Sequence, residues 1–417
     1  MYRKSTLSNG IRVVSEAIPY VKSATVGVWL GTGSRNEHDY NHGISHFLEH
    51  LMFKGTENRT ARDIAETVDA VGGQLNAFTA KEYTCYYIKV LDSHLDLAMD
   101  ILSDMLLASK FDAADINRER EVVLEEVNMY EDSPDELVHD LFLNHVWPTH
   151  PLGRNILGTT DSIGKLDRKI VTEYYRDLYT PDNLVIAAAG NFTHEQLEKL
   201  ADKFFGKMRG EKKQLIAKPP QFQPVRSIRS KETEQVHLCL GTTSVAYDSP
   251  DIYVLHVLNN ILGGGISSRL FQSIREERGL AYSVYSYTTN YSDCGLFTVY
   301  AGTRPGNVGQ VVDLIIQNIN ELKSTGIPLS ELTKTKEQLK GSLLLGLESS
   351  SSRMSRLGKL EITLRKYTTM DEIVAAIEKV SLDDIMQMLS RIFTDDNLCF
   401  TALGPVRESD LPQVFKA

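Results

Sequence analysis

Residues 29–53, WLGTGSRNEHDYNHGISHFLEHLMF, decide the fold, because a second version of this segment occurs at residues 239–263, CLGTTSVAYDSPDIYVLHVLNNILG. The two segments align without a gap at an offset of 210 residues, with LGT over LGT and HFLEHLM over HVLNNIL. Further along, GGQLNAFT at 72–79 resembles ERGLAYSV at 277–284 after a short deletion. Self-similarity at a fixed offset is the signature of a duplication. The 417-residue chain is therefore predicted to consist of two homologous halves of about 200 residues each.

The boundary between the halves is predicted in the segment KPPQFQPVRS at 218–227, which follows the charged tract GEKKQ. Three prolines in this segment are typical of an extended linker. We therefore predict an N-terminal half at 1–217 that carries the functional site, a linker at 218–230, and a C-terminal half at 231–417.

Each half shows the same order of elements. A strand-like run, TVGVWLGTG or VHLCLGTTS, leads into a helix, and hairpin-like strands and amphipathic helices follow. In the first half, helices are predicted at 95–107 and 112–130, and NLVIAAAG is predicted as a closing strand. This order indicates an α+β fold in which each half has a mixed or antiparallel sheet with helices packed on one face.

Composition excludes several classes of protein. The net charge of -10 disfavours nucleic acid as a partner. No run approaches the ~18 apolar residues of a transmembrane helix, and MYRKSTLSNG lacks the apolar core of a secretory signal. The four cysteines are far apart, which argues against a disulfide framework or a cysteine zinc site. We therefore expect a cytoplasmic protein without a membrane partner.

Glu49 and His50 have no counterpart of the same type in the second half. The first half has His46-x-x-Glu49-His50, whereas the aligned second-half segment at 256–260 is HVLNN, so packing alone does not demand Glu49 and His50. Residues four apart share a helix face, and two imidazoles at that spacing can bind one tetrahedral zinc. The carboxylate of Glu49 beside them is positioned to take a proton from a metal-bound water as general base.

The pattern is specific, although alternatives exist. A His-x-x-acid-His match is expected by chance only about 0.04 times in a chain of this composition. The alternative is a partly buried helix on which Glu49 simply pairs with one of the histidines. His42 and His46 also have the i, i+4 spacing, but only the pair His46 and His50 includes Glu49.

A catalytic zinc needs a third protein ligand and an open position for water. INREREVVLEEVNMY at 116–130 is predicted as a helix, and Glu119 and Glu126 fall within its apolar arc. Buried carboxylates are costly unless they are paired or bound to a metal. Glu126 is therefore predicted as the third ligand, and Glu119 as a carboxylate that orients a histidine. An ion pair with Arg120 is the alternative for Glu119.

Several motifs together resemble the pitrilysin/insulinase family of zinc metallopeptidases, the inverzincins with the H-x-x-E-H signature. The resemblance is strongest to short bacterial members similar to the mitochondrial processing peptidase, and it spans nearly the whole chain. The motifs that carry it are HFLEHLMFKGT at 46–56, GGQLNAFTAKEYTCYY at 72–87, EREVVLEEVNMYEDSPDE at 119–136, GGGISSRLF at 263–271 and REERGLAYSV at 275–284.

The resemblance implies residue roles. The family's third ligand lies about 76 residues beyond the last motif histidine, which is Glu126 here, and its further acidic residue corresponds to Glu119. Family members bind an extended peptide by strand addition at an edge strand. In this chain the resemblance places that strand at Asn76, Ala77, Phe78 and Thr79. Without the resemblance, Asn76 would be taken as a residue that simply ends a strand.

In the second half, Arg275 and Tyr282 match an arginine and a tyrosine that larger family members place over the scissile bond. Arg275 would position the substrate, and Tyr282 would donate to the developing oxyanion. In those larger members the pair comes from the opposite half of a four-module clamshell. Because this chain has two modules, the resemblance implies a homodimer whose subunits complete each other's sites. The sequence alone would make Arg275 a solvated charge and Tyr282 a core aromatic.

The predicted function is that of a zinc metalloendopeptidase with one Zn²⁺ per chain, which hydrolyses unfolded peptides or peptide segments inside a closed dimer chamber. Two alternatives remain open. The chain could be a non-catalytic or partner-dependent subunit of a peptidase-like assembly, or it could hold a structural zinc closed by a fourth protein ligand.

Overall fold

The computed structural model describes residues 2–211 and 218–412, which form eleven β-strands and fourteen α-helices. The strands are β1 Tyr2–Thr6, β2 Arg12–Ala17, β3 Ser23–Leu30, β4 Gln74–Thr79, β5 Thr84–Leu91, β6 Leu184–Gly190, β7 Arg226–Ser230, β8 Val236–Ser244, β9 Ala281–Asn290, β10 Gly295–Thr303 and β11 Cys399–Gly404. The helices are α1 Ile44–Leu51, α2 Ala61–Asp69, α3 Leu95–Leu107, α4 Ala113–Glu131, α5 Pro134–Val146, α6 Thr160–Gly164, α7 Arg168–Leu178, α8 His194–Phe205, α9 Ile252–Leu262, α10 Val308–Thr325, α11 Leu329–Gly346, α12 Ser350–Leu364, α13 Met370–Lys379 and α14 Leu382–Ile392.

The chain divides into two compact units, each built from segments that are discontinuous in sequence. The first unit comprises the described parts of Met1–Asn128, Asn155–Ala217 and Leu345–Tyr367. The second comprises those of Met129–Arg154, Lys218–Leu344 and Thr368–Ala417. Each unit contains one sheet. The units therefore follow the two sequence halves except for two exchanged segments.

The two sheets share one topology. The first has the order β1-β2-β6-β3-β5-β4, and the second has the order β7-β11-β8-β10-β9. In both, one pair is parallel, β2 with β6 and β7 with β11, and the pairs that follow are antiparallel. The prediction of an α+β fold with two homologous halves and mixed sheets is confirmed. The first sheet gains β1 as an additional edge strand.

The prediction that helices cover one face of each sheet was incomplete. The main core of the first unit lies on one face, where residues of α1, α3 and α8 pack against the strands. On the other face, Met354 and Leu357 of α12 pack against Trp29 and the β6 side chains. A Cβ on Gly358 would lie 2.1 Å from the indole of Trp29, so this approach of helix to sheet requires glycine.

The second sheet is covered in the same way by α5, which comes from the first half of the sequence. Phe142 of α5 reaches Gly241 in β8, where a Cβ would lie 2.7 Å from the ring. Central strands are consequently buried on both faces, which explains why LVIAAAG in β6 is apolar without alternation.

Part of the predicted linker is a strand. Arg226–Ser230 forms β7, which pairs with β11 at the edge of the second sheet. Its sequence, RSIRS, contains one apolar residue, because an edge strand has less to bury than a central one. The predicted end of the first half at residue 217 lies outside the described residues. Among the residues described, no helix is both long enough and apolar enough to cross a membrane.

Candidate metal centre

The start of α1 is fixed by a buried carboxylate. Glu37 accepts hydrogen bonds from the backbone N–H of Gly43, at 2.7 Å, and of Ser45, at 2.9 Å. These are donors that a helix N-terminus leaves without an intrahelical partner. Burial raises the pKa of Glu37 to about 7. The sequence reasoning missed Glu37, because this residue stands seven positions before Ile44, outside the positions at which capping residues are recognised.

Three side chains from two helices converge in the first unit. Nε2 of His46 and Nε2 of His50, on α1, lie 3.7 and 3.5 Å from Oε2 of Glu126 on α4. These distances exceed an ordinary hydrogen bond. They are close to the spacing of about 3.4 Å that two ligands have on a tetrahedral zinc with bonds of about 2.0–2.1 Å. Within the described chain, these residues form the one group of His, Cys, Asp and Glu whose ligand atoms all lie within 4.8 Å of each other.

The protonation states suit metal binding. Burial lowers the pKa of His46 to about 4, so this imidazole is neutral at pH 7. Interaction with His50 lowers the pKa of Glu126, and the facing Glu126 carboxylate raises the pKa of His50. Ligation needs neutral imidazoles and an ionised carboxylate. At His50 a metal ion would therefore compete with protonation, which the same carboxylate favours.

The donor set fits zinc. Two imidazole nitrogens and one carboxylate oxygen are a ligand set found in catalytic zinc sites. Nδ1 of His46 is buried and makes no hydrogen bond within the described chain, and Nε2 is the ring atom that faces Glu126. The Glu126 side chain is 42% exposed, which leaves one side of the group open to solvent. This openness distinguishes the group from a closed structural site.

His42 lies outside the group. It precedes α1, and its Nε2 lies 3.0 Å from the carbonyl oxygen of Asn155. The i, i+4 pairing of His42 with His46 is therefore not used, because α1 begins only at Ile44. The convergent group does not include His42 as a fourth ligand.

Glu119 is buried next to a predicted ligand. Its Oε2 lies 3.3 Å from Nδ1 of His50, on the ring edge opposite the nitrogen that faces Glu126. Arg120, the alternative partner of Glu119, instead donates to the carbonyl of Leu166. Oε1 of Glu119 pairs with Lys54 Nζ at 2.8 Å. The sequence reasoning did not identify Lys54, which stands four residues after the metal motif and carries no ligand chemistry.

Glu49 lies beside the two histidines on α1 and is held by a contact from the sheet. Thr79 Oγ1, at the end of β4, donates a hydrogen bond of 2.5 Å to Oε2 of Glu49. Burial raises the pKa of Glu49, while this hydrogen bond acts in the opposite direction. The carboxylate that is predicted as general base is therefore oriented by the strand that is predicted to bind substrate.

The stretch from Asn76 to Thr79 lies in β4, an edge strand that pairs with β5 on one side. Asn76 is exposed, and its Oδ1 accepts from the N–H of Ala77 at 2.8 Å. The ring of Phe78 packs edge-on against Trp29 with centroids 5.5 Å apart. The side chain of Phe78 thus belongs to the packing of the sheet, and the outer edge of β4 has no neighbouring strand in this sheet.

Arg275 and Tyr282 lie in the second unit. Arg275 belongs to the π-helical segment Phe271–Glu276, and its guanidinium carbon lies 4.7 Å from the ring centroids of both Phe271 and Tyr282. Tyr282 is 75% exposed on β9, an edge strand, so it is not a core aromatic. Arg275 is stacked on aromatic faces and is more than a solvated charge.

Cavity size does not identify this site. A cavity of about 960 Å³ in the first unit lies beside His194, and none of the predicted site residues lines it. The group of His46, His50 and Glu126 is identified instead by the type and spacing of its ligand atoms, which are a stronger criterion for a metal site than cavity volume.

Two α+β units of common topology define a duplicated protein, and within the part of the chain that the structure describes the first unit holds one candidate metal centre, a convergent His–His–Glu group. Comparison with known protein families agrees with this description. Residues 12–160 match the insulinase family (peptidase family M16), and residues 165–339 match the peptidase M16 inactive domain. The chain belongs to peptidase family M16, which confirms the resemblance to the pitrilysin/insulinase family.

Relatives cover nearly the whole chain. The chain is 47% identical to the uncharacterized zinc protease YmxG of Bacillus subtilis, over 95% of this chain and 97% of that protein. It is 41% identical to an uncharacterized zinc protease of Streptomyces coelicolor, over 100% of this chain and 92% of that protein. A crystal structure of a protease from Helicobacter pylori matches with a TM-score of 0.92 and 25% identity, over 97% of this chain and 99% of that one.

Proposed function

We propose that this chain is a zinc-dependent endopeptidase of the inverzincin type, with one Zn²⁺ held by His46, His50 and Glu126. The observation that carries the proposal is the convergence of these three side chains at tetrahedral ligand spacing, with Glu49 beside them. The relatives from Bacillus subtilis and Streptomyces coelicolor are named as uncharacterized zinc proteases, and these names support the proposal. The match of the second half to an inactive domain agrees with the absence of the motif from HVLNN at 256–260.

The chemistry follows from the positions of the side chains. A bound zinc supplies Lewis acidity, which polarises a peptide carbonyl and makes water acidic. Glu49 accepts the proton of the attacking water and returns it to the leaving amine nitrogen. Its elevated pKa brings the carboxylate nearer to the operating pH, where a general base is most effective. Thr79 fixes the direction of the carboxylate through its hydrogen bond to Oε2.

The substrate class follows from the edge strand. A peptide that adds to β4 is held by main-chain hydrogen bonds, which do not depend on its sequence, and Asn76 lies exposed on that strand. A folded protein rarely offers an extended segment with an unpaired edge. We therefore propose unfolded peptides or peptide segments as substrates. The closed dimer chamber and the cytoplasmic location remain part of the proposal from the family resemblance and the composition.

The experiment that tests the proposal combines metal analysis with digestion of a mixed peptide library. The purified protein is expected to contain about one zinc per chain, because the described residues form one convergent group. Cleavage should stop when a chelator removes the metal and should return when zinc is added back. A protein that is loaded with zinc but cleaves no peptide in the library would instead support the non-catalytic or partner-dependent alternative.

The proposed dimer can be tested by complementation. If Arg275 and Tyr282 act on the partner's zinc, one chain with E49Q and one with R275A/Y282F form a mixed dimer that has one complete site. Co-expression with two different tags and tandem purification isolates this mixed dimer. It should show about half the wild-type activity per dimer, and a sizing column should show two chains per particle. If the mixed dimer is as inactive as both parents, the two residues do not act in trans.

A further inference from the structure

We propose that Lys54 is a positioning residue of the metal centre, which fixes the Glu119 carboxylate and, through it, the imidazole of His50. The inference rests on the proposed zinc site. It adds a residue that lies outside the H-x-x-E-H motif.

The buried carboxylate of Glu119 contacts both His50 and Lys54. Oε2 of Glu119 lies 3.3 Å from Nδ1 of His50, and Oε1 lies 2.8 Å from Nζ of Lys54. The Glu119 side chain is only 3% exposed. A buried carboxylate that loses its ion-pair partner is left with an uncompensated oxygen. We expect such a carboxylate to rotate, and a rotated Glu119 carboxylate would no longer fix the orientation of the His50 ring.

The backbone of Lys54 is held on both sides. Its N–H donates to the carbonyl of Leu51, the last residue of α1. The loop that follows is tied to α3 by Asp104, which accepts from Thr56 Oγ1 at 2.7 Å and from Arg59 Nη1 at 2.9 Å. Lys54 therefore lies in a loop that hydrogen bonds hold at both ends, and this keeps its side chain in position to contact Glu119.

This pair differs from an ordinary surface ion pair. Lys165 and Asp161 of α6 and its C-cap also form an ion pair, but their side chains are 62% and 77% exposed. Exposed pairs of this kind are screened by solvent and fix little geometry. Lys54 is 34% exposed at its side chain but contacts a carboxylate that is almost entirely buried. Lys165 is therefore a matched control for removing a lysine.

The test measures zinc dissociation constants of the full-length protein by competition with a chelating indicator at fixed pH and ionic strength. Removing partners of ligand histidines typically weakens metal affinity ~10- to 100-fold. We expect K54M to raise the zinc dissociation constant about 10-fold and E119Q to raise it at least as much. K54R should restore affinity to within about threefold of wild type, and K165M should leave it unchanged.

A double-variant cycle separates positioning from general destabilisation. If Lys54 acts only through Glu119, K54M/E119Q should bind zinc as weakly as E119Q alone, because residues that share one network are non-additive. Multiplying effects in the double variant, or wild-type zinc affinity in K54M, would overturn the proposal. Thermal melting of the metal-free proteins checks folding, and K54Q replaces K54M if the latter misfolds.

The outcome is distinguishable from failure of the proposed function. A wild-type chain that binds no zinc would overturn the zinc site and this inference together. Zinc binding by wild type with no effect of K54M would overturn only the role of Lys54. Cobalt-loaded protein gives a readout independent of cleavage, since a shift in the visible absorption of Co²⁺ in K54M and E119Q, but not in K165M, reports a changed ligand direction.

Discussion

The E49Q variant is expected to keep about one zinc per chain and to lose peptide cleavage by about 10²- to 10⁴-fold, the usual contribution of a general base. Glutamine has the shape of glutamate, and its amide oxygen can still accept the hydrogen bond from Thr79. It cannot accept a proton from water. Metal analysis and kcat/KM on the same sample measure the two properties separately.

A matched control for E49Q is E66Q, because Glu66 lies on the exposed face of α2 in a pair with Arg62. This control should retain both zinc and activity. Near-wild-type cleavage by E49Q would remove Glu49 as the base. Loss of zinc from E49Q would show instead that Glu49 contributes to metal binding.

The E126Q variant is expected to lose zinc affinity by at least ~10²-fold, because even indirect partners of a metal site are worth ~10- to 100-fold and a direct ligand is worth more. Glu126 is the one member of the convergent group that comes from α4, so this change tests whether two helices meet on one ion. Cleavage should fall to the level seen with a chelator. Titration with zinc against a competing indicator measures the affinity.

The control for E126Q is its neighbour. Glu125 is exposed on the solvent side of α4, so E125Q changes the same charge one residue away and should leave zinc affinity unchanged. If E126Q binds zinc as tightly as wild type, the third ligand is another carboxylate. The next carboxylate to test by substitution would then be Glu119, which lies next to His50.

Sequence periodicity predicted the helices well where one face is buried. The predicted helix at 95–107 coincides with α3, and the predicted helix at 112–130 differs from α4 by one residue at each end. In α4 apolar residues recur at the helical spacing and mark the buried face, whereas residues 101–106 of α3 are all buried. The internal alignment also predicted two homologous halves with the same order of elements, and the two sheets share one topology, as homologous segments should.

The exchange of α5 and α12 between the sequence halves was not predictable in this way. An amphipathic pattern shows which face of a helix is buried but not which surface covers it. Met354 and Leu357 could pack against any apolar sheet face by their own chemistry. Contacts such as the close approach of Gly358 to Trp29 and the ion pair of Arg12 with Glu361 identify the partner, and these contacts require coordinates.

By itself, the sequence determined the duplication, the fold class, and the side chains predicted as ligands, because periodicity and motif spacing are local properties that a chain carries unfolded or folded. The tertiary structure decided which groups support those side chains. Thr79 reaches Glu49, and Lys54 reaches Glu119, across 30 and 65 residues of sequence, respectively. Such contacts form only when separate elements pack, since hydrogen bonds and ion pairs depend on distances of a few ångströms that no spacing along the chain specifies.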